Sequence, residues 1–309
     1  VETIHIEDNR EATEASNGID AGSSIPTVSL GEAERFCRQL ATSHYENFVV
    51  ASLFLPVRMR QPFYNVYAYC RYSDDLADLS PSPQEATRKL LDWRKQLSDC
   101  FAGRATHPIF VALADTAGKH RLEIGPFADL LQAFLQDQSK TRYQTMDELL
   151  DYCKHSANPV GRIVLRLANA DSDANVRLSD SICTGLQLAN HWQDVARDVH
   201  AGRIYLPRED AEKFGVDLEQ LEQQANSADF RRLIEYECDR AETFLRAGMT
   251  LAGHVPQWLA KDIRLFVLGG LATLQAIDSI QYDVLTTRPT VSKWKQLKLI
   301  AGVALSRQP

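Results

Sequence analysis

The 309-residue sequence lacks most of the signatures that assign a protein quickly. It has no run of 18 apolar residues, so no segment reads as a membrane-spanning helix. Its start shows no basic-then-apolar secretory pattern, and the expected location is cytoplasmic, at most peripheral to the inner membrane surface. The six cysteines, Cys37, Cys70, Cys100, Cys153, Cys183 and Cys238, are widely spaced with no C-x-x-C pair. That excludes a zinc ribbon or a disulfide framework and predicts reduced, mostly packed thiols. Basic stripes are missing too: net charge is −7, of which residues 1–30 carry −5, and the remaining body is nearly neutral. Nucleic acid is therefore set aside as a partner. No glycine-rich phosphate loop, no internal repeat and no alternating strand pattern is present, which leaves an all-α reading.

What is there is helical punctuation. Residues 1–28 are acidic and rich in Ser, Gly and Ala, and read as a disordered leader. From residue 29 to 309 the period is helical, in one domain of nine or ten helices. Ser29 with Glu32, Ser82 with Glu85 and Thr145 with Glu148 are capping-box starts, and Pro83 suits a first helical position. Pro56, Pro62, Pro108, Pro126, Pro207, Pro256 and Pro289 separate the segments.

Two helices carry a second, polar seam. On a helix beginning at Pro62, Tyr67, Arg71, Asp74 and Asp78 fall on one face at spacings of 4, 3 and 4. Over 186–200, Gln187, Asn190, Asp194 and Asp198 do the same, while Leu188, Trp192, Val195 and Val199 form an apolar stripe. Acidic pairs four apart usually mark a solvated face, as at Glu7/Glu11 or Asp147/Asp151, and cost a helix only about 0.2–0.5 kcal/mol. The pairs at 74/78 and 194/198 differ in their company of Arg, Tyr, Asn, Gln and large apolar residues. Burying such carboxylates needs a neutralising cation. Oxygen-only ligands favour Mg²⁺ over zinc, and Mg²⁺ shares one or two carboxylates with water and phosphate oxygens. The pairs read as a grip for a metal-bound diphosphate.

At these residues the sequence resembles the squalene/phytoene synthase family, from about residue 36 to 285. The markers are D-D-L-A-D (74–78) after Arg71, and Q-L-A-N-H-W-Q-D-V-A-R-D (187–198) followed by G-R-I-Y-L-P (202–207). S-H-Y-E-N-F (43–48), S-A-N-P-V-G-R (156–162) and N-H-W-Q-D-V (190–195) resemble the bacterial hydroxysqualene synthases of hopanoid-type squalene biosynthesis. The resemblance implies a single-domain, all-α isoprenoid synthase bundle around a central cavity, with Mg²⁺ and without nicotinamide. It implies presqualene diphosphate as substrate, ionised and captured by water, with a partner synthase as a source of that substrate. Residue by residue it implies Asp74, Asp78, Asp194 and Asp198 as metal ligands. Arg71 and Arg203 would bind diphosphate, Gln187 and Asn190 would lie near metal and substrate, Tyr67 and Tyr205 would be active-site tyrosines, and His44 would open a helix lining the cavity.

One departure is informative. The family's Y-C-x-Y-V-A-G-x-V-G carries a tyrosine associated with acid/base chemistry in the first half-reaction. Here Y-C-K-H-S-A-N-P-V-G places His155 at that position and Asn158-Pro159 in place of Gly-x. This suits the second half-reaction. Phe48, Phe54, Tyr67 and Tyr69 are candidate cation linings, with Phe63, Val66 and Cys70 as core. Asn158, His155 or Glu46-Asn47 would position the capturing water, or Asn158 would satisfy backbone groups freed by Pro159, where a helix break is expected. His191 reads as structural. Val291–Arg307, with Lys293, Lys295 and Lys298 and an apolar face of Trp294, Leu297, Ala301 and Leu305, fits a membrane surface or a packed terminal helix.

Rival readings are condensation of farnesyl diphosphate or phytoene synthesis, and a non-catalytic assembly factor. A di-metal oxidase bundle needs E-x-x-H on two helices, and the sequence offers only Glu2–His5.

Overall fold

The computed structural model describes residues 28–43, 54–224 and 227–305, and no strand occurs among them. The leader up to residue 27, together with His44, Glu46, Asn47 and Phe48, lies outside the described residues. Helices run α1 Leu30–Ser43, α2 Val57–Asp78, α3 Pro83–Phe101, α4 Pro108–His120, α5 Ile124–Asp137, α6 Met146–Ser156 and α7 Asn158–Leu167. They continue as α8 Asp173–Gln193, α9 Val195–His200, α10 Arg208–Phe214, α11 Ala228–Gly248, α12 Gln257–Ser279 and α13 Lys293–Leu305. Two 3-10 segments, Leu218–Gln224 and Met249–Gly253, flank α11.

The three capping boxes start helices as expected. The hydroxyls of Ser29, Ser82 and Thr145 accept from the amides of Glu32, Glu85 and Glu148 at 3.4, 3.2 and 3.2 Å. Caps of this kind are worth about 1 kcal/mol each. Among the described residues the α-helices outnumber the nine or ten expected, in part because two long segments are broken. One break falls at Ala157 (φ −120°, ψ −48°), where Pro159 cannot supply an N–H to the turn before it. The other falls at Asp194 (φ −106°, ψ 16°), so 186–200 is not a single helix. Helix α2 begins at Val57 rather than Pro62, and the proline sits inside it.

Two apolar cores form. One gathers Tyr69, Trp93, Phe110 and Phe127 from α2–α5; the other gathers Trp192, Phe230, Leu245 and their neighbours from α8, α11 and α12. Trp258 packs against both. Close approach welds the second core. A Cβ on Gly185 of α8 would come within 2.9 Å of the Leu245 amide nitrogen, and one on Gly161 of α7 within 2.7 Å of Cys183 Sγ. Glycine is the residue that admits such contact.

Candidate active site

Both acidic pairs lie at the same end of an apolar chamber. On α2, Phe63, Val66, Tyr67 and Cys70 line a cavity of about 320 Å³, and Asp74 and Asp78 follow one and two turns later. On α8, Ser179, Ile182, Cys183 and Leu186 line the same cavity, and Asp194 and Asp198 follow across the junction with α9. The chamber therefore sits at the seam of the two cores. Phe63, Val66 and Cys70, expected as plain core, form its wall. Gln187 and Asn190 fall between chamber and carboxylates, in an outer groove of about 510 Å³ that shares Val160, Cys183, Leu186 and Phe266 with the chamber.

The first pair is held from within its own helix: Arg71 lies 3.3 Å from Asp74 and 2.5 Å from Asp75. The second is held from far away in sequence. Arg288, 94 residues on, donates to Asp194 at 2.6 and 3.3 Å, and Gln193 donates to the Pro289 carbonyl at 2.8 Å. The segment 288–289 thus grips α8 where it breaks. Gly202, at φ +76°, lets the chain turn back so that the Arg203 amide donates to the Asp198 carbonyl at 2.8 Å. The Arg203 guanidinium then stands 3.7 Å from Asp78, bridging the two pairs.

Electrostatics ties the pairs together. Burial pushes the Asp198 carboxyl up to about 6, with Asp194 adding to it and Arg203 and Arg197 opposing. Burial and then Asp78 push Asp74 up, while Arg71 and Arg197 pull it down. Arg197 and Arg203 therefore each serve both pairs. Between them stands Asp137, the last residue of α5, which accepts from the Tyr152 hydroxyl at 2.9 Å. Burial pushes it up to about 7 against that hydrogen bond and Arg203, while Asp78 and Asp198 act to raise it.

Tyr205 stacks on His191, ring centroids 3.7 Å apart, beside Tyr143 and Tyr152. Burial depresses His191 to about 3, so its ring is neutral. Its Nε2 lies 3.2 Å from Gln187 Nε2, so the neutral ring accepts there and Gln187 is held from behind. Tyr67 lines the chamber and is raised chiefly by burial.

Other expected residues stand apart from the chamber wall. His155 is half-buried with Nδ1 2.9 Å from the carbonyl of Asp151 on its own helix. Asn158 is buried and accepts from the Thr184 hydroxyl at 3.1 Å. Neither is among the residues lining the chamber. Tyr69 belongs to the first core, donating to the Phe127 carbonyl at 2.7 Å, and Phe54 lies under Lys261 instead of in the chamber wall. Asp137, Arg197 and Arg288 are site residues that sequence reasoning missed. Arg197 lay inside a quoted motif; the other two carry no local signal.

Among the described residues no three His, Cys, Asp or Glu side chains converge as a closed metal cage requires. Mg²⁺ does not need one, since it takes one or two carboxylates and completes its octahedron with water and phosphate oxygens. Carboxyls pushed up by burial at the mouth of a cavity are what such a cation would relieve. Asp74, Asp78, Asp194 and Asp198 fit that donor set.

Comparison with known proteins gives a consistent result. A family model described as squalene/phytoene synthase matches residues 41–295. A phytoene synthase of Arthrospira platensis is 32% identical over 284 residues, covering 86% of this chain and 90% of the relative. A 15-cis-phytoene synthase of Synechocystis is 31% identical, covering 89% of this chain and 85% of the relative. Among solved structures, squalene synthase HpnC from Alicyclobacillus acidocaldarius is 43% identical with a TM-score of 0.79, covering 82% of this chain and 96% of that one. A dehydrosqualene synthase in complex with ligand is 25% identical with a TM-score of 0.80, covering 89% and 96%.

Proposed function

We propose a specific reaction from one premise: the chain belongs to the squalene/phytoene synthase family. The reaction is ionisation of presqualene diphosphate, followed by water capture of the cation to give hydroxysqualene and diphosphate. Asp74, Asp78, Asp194 and Asp198 would hold Mg²⁺, which supplies positive charge to the leaving diphosphate. Arg71, Arg203 and Arg288 stand at the same mouth as fixed forks whose charge does not titrate, and stabilise the departing group more than the bound substrate. Gln187 and Asn190 orient the head of the substrate where groove meets chamber. Tyr67 and Phe63 line the space into which the hydrocarbon extends, and exclude bulk water from the cation.

The observation that carries this reading is His155. It stands in the Y-C-K-H-S-A-N-P-V-G segment where the condensing enzymes place a tyrosine, and its ring is turned to its own backbone at Asp151. A chain without that acid/base group is suited to a substrate already condensed, supplied by a partner synthase. The second reading, condensation to phytoene, is favoured by relatives that are phytoene synthases at 31–32% identity.

The test is purified protein with Mg²⁺ and presqualene diphosphate, without NADPH, beside reactions with farnesyl and geranylgeranyl diphosphate. A C30 alcohol from presqualene diphosphate is the expected product. Phytoene from geranylgeranyl diphosphate, with no alcohol, replaces this reading by the second.

We further propose a cytoplasmic enzyme docked on the inner membrane surface through α13. No helix among the described residues is long and apolar enough to cross a membrane. On α13, Trp294, Leu297 and Leu305 are 76, 57 and 81% exposed, while Val303 faces inward. Lys293, Lys295 and Lys298 flank that outward apolar face, the arrangement that anionic lipid attracts. Trp294→Ala should lower co-sedimentation with phosphatidylglycerol vesicles several-fold; unaltered sedimentation discards the docking.

A further inference from the structure

Among the described residues the chamber wall is mostly apolar, and Asp262 is its one carboxyl. Helices α2, α7, α8 and α12 and the 3-10 turn at Leu251 form its wall, and α12 places Asp262 in that wall between Leu259 and Phe266. Asp262 is only 3% exposed. Among the described residues its Oδ1 is buried without a hydrogen-bond partner. Burial alone pushes its carboxyl, up to about 8, and no neighbouring cation opposes the shift. A buried unpartnered carboxyl is costly to a fold and rare in native structures, and an ordered water or a chemical task is its usual explanation.

Among the described residues, the other titratable groups on the wall offer no base. Tyr67 and Cys70 from α2 and Cys183 from α8 are all raised by burial, Cys70 to about 12 and Cys183 to about 11. They stay neutral at any working pH. Val160, Gly161, Val164 and Leu165 from α7, Leu251, and Leu259, Ile263 and Phe266 from α12 carry no titratable side chain. His155 and Asn158 do not reach the wall.

We propose that Asp262 holds the capturing water inside the chamber and accepts its proton, a role that rests on the water-capture reading above. The balance is simple. The carbon–oxygen bond to diphosphate breaks with its electron pair going to the diphosphate. The cyclopropylcarbinyl cation rearranges; as a lone pair of the water forms the new carbon–oxygen bond, a ring carbon–carbon bond opens and its electron pair becomes a carbon–carbon double bond. One water O–H bond breaks, and the Asp262 carboxylate takes the proton. No oxidant or reductant enters. Asp262 must be ionised to act, and a cation forming in the same low-dielectric space favours the ionised form. Should the trapped cation lose a proton instead of gaining water, the same carboxylate is the one base that the described residues place on the wall to receive it.

Asp262→Asn keeps shape and hydrogen bonding but removes the base, and Asp262→Leu removes both. The readout is alcohol formed per diphosphate released, followed from pH 6 to pH 9. In the wild type this ratio should rise with pH across that range with its midpoint at about 8, where Asp262 is half ionised. In Asp262→Asn it should fall at least about tenfold and lose its pH dependence. Asp262→Leu should melt no lower than the wild type, which keeps a loss of product distinct from a loss of fold.

An Asp262→Asn enzyme with the wild-type ratio and pH profile overturns the role of Asp262 and leaves the reaction standing. A wild type that gives no alcohol overturns the reaction. The assay then reads the alkene formed by proton loss: a tenfold fall in Asp262→Asn keeps Asp262 as proton acceptor, and an unchanged yield removes it.

Discussion

The two aspartate pairs look alike in sequence and are held in different ways. Asp74 and Asp78 lie on an unbroken helix, and Arg71 on that helix clamps Asp74 together with Asp75. Asp194 and Asp198 straddle a helix break, and Asp194, 12% exposed, is clamped by Arg288 from another part of the chain. The first pair is assembled as soon as α2 forms. The second is complete only with the segment 288–289 docked against it. One site is thus local in one half and conditional in the other.

Removing a carboxylate from either half should cost most. Asp74→Asn and Asp194→Asn should each lower diphosphate release by about 10²–10³-fold, and a chelator should abolish it until Mg²⁺ is restored. A large loss in one variant and none in the other would break the symmetry of the metal assignment. Exchanging the clamps separates the halves further. Arg288 competes with a metal for Asp194, so Arg288→Gln should lower the half-saturating Mg²⁺ concentration several-fold. Arg71→Gln should lower turnover without that gain. An unchanged Mg²⁺ requirement in Arg288→Gln would mean that the distant clamp is not displaced by metal.

The smallest expected effect concerns Asp137, which stands between the halves. In the fold it keeps its proton up to about pH 7, whereas its ordinary value is 3.8. Over that interval the folded protein binds the extra proton, so the stability it contributes is present at low pH and is lost as pH rises through 7. Melting of the metal-free protein should therefore fall from pH 5 to pH 8 by more in the wild type than in Asp137→Asn. Parallel curves would place the titration elsewhere.

How much could be read beforehand follows the same division. The polar face of α2 is legible because periodicity and an i,i+3 arginine both act within a few residues. The α8 face was legible as a pattern, but the break at Asp194 was not, since its partners lie at 288 and 289. Asp137 and Arg288 sit in stretches with no motif, and only tertiary packing gives them a neighbourhood. Pro62 misled because a proline marks a helix start more often than it sits within one. Asp262 was silent for another reason: a lone aspartate one turn before Phe266 reads as a solvated position until its burial is known.

The glycines of the second core set the terms on which this chamber can change size. Where α8 meets α11, Gly185 lies against the Leu245 backbone and side chain, and Gly161 brings α7 onto the side chains of Ser179 and Cys183, so neither contact admits a Cβ without a shift. The spacing of α7, α8 and α11 is therefore fixed behind the side chains that line this side of the chamber. The face made by Phe63, Val66 and Tyr67 is built of side chains and can be recut one residue at a time. A shift between shorter and longer hydrocarbon substrates in descendants of this chain would accordingly be written on lining side chains such as those of α2, while the spacing of α7, α8 and α11 stays as it is.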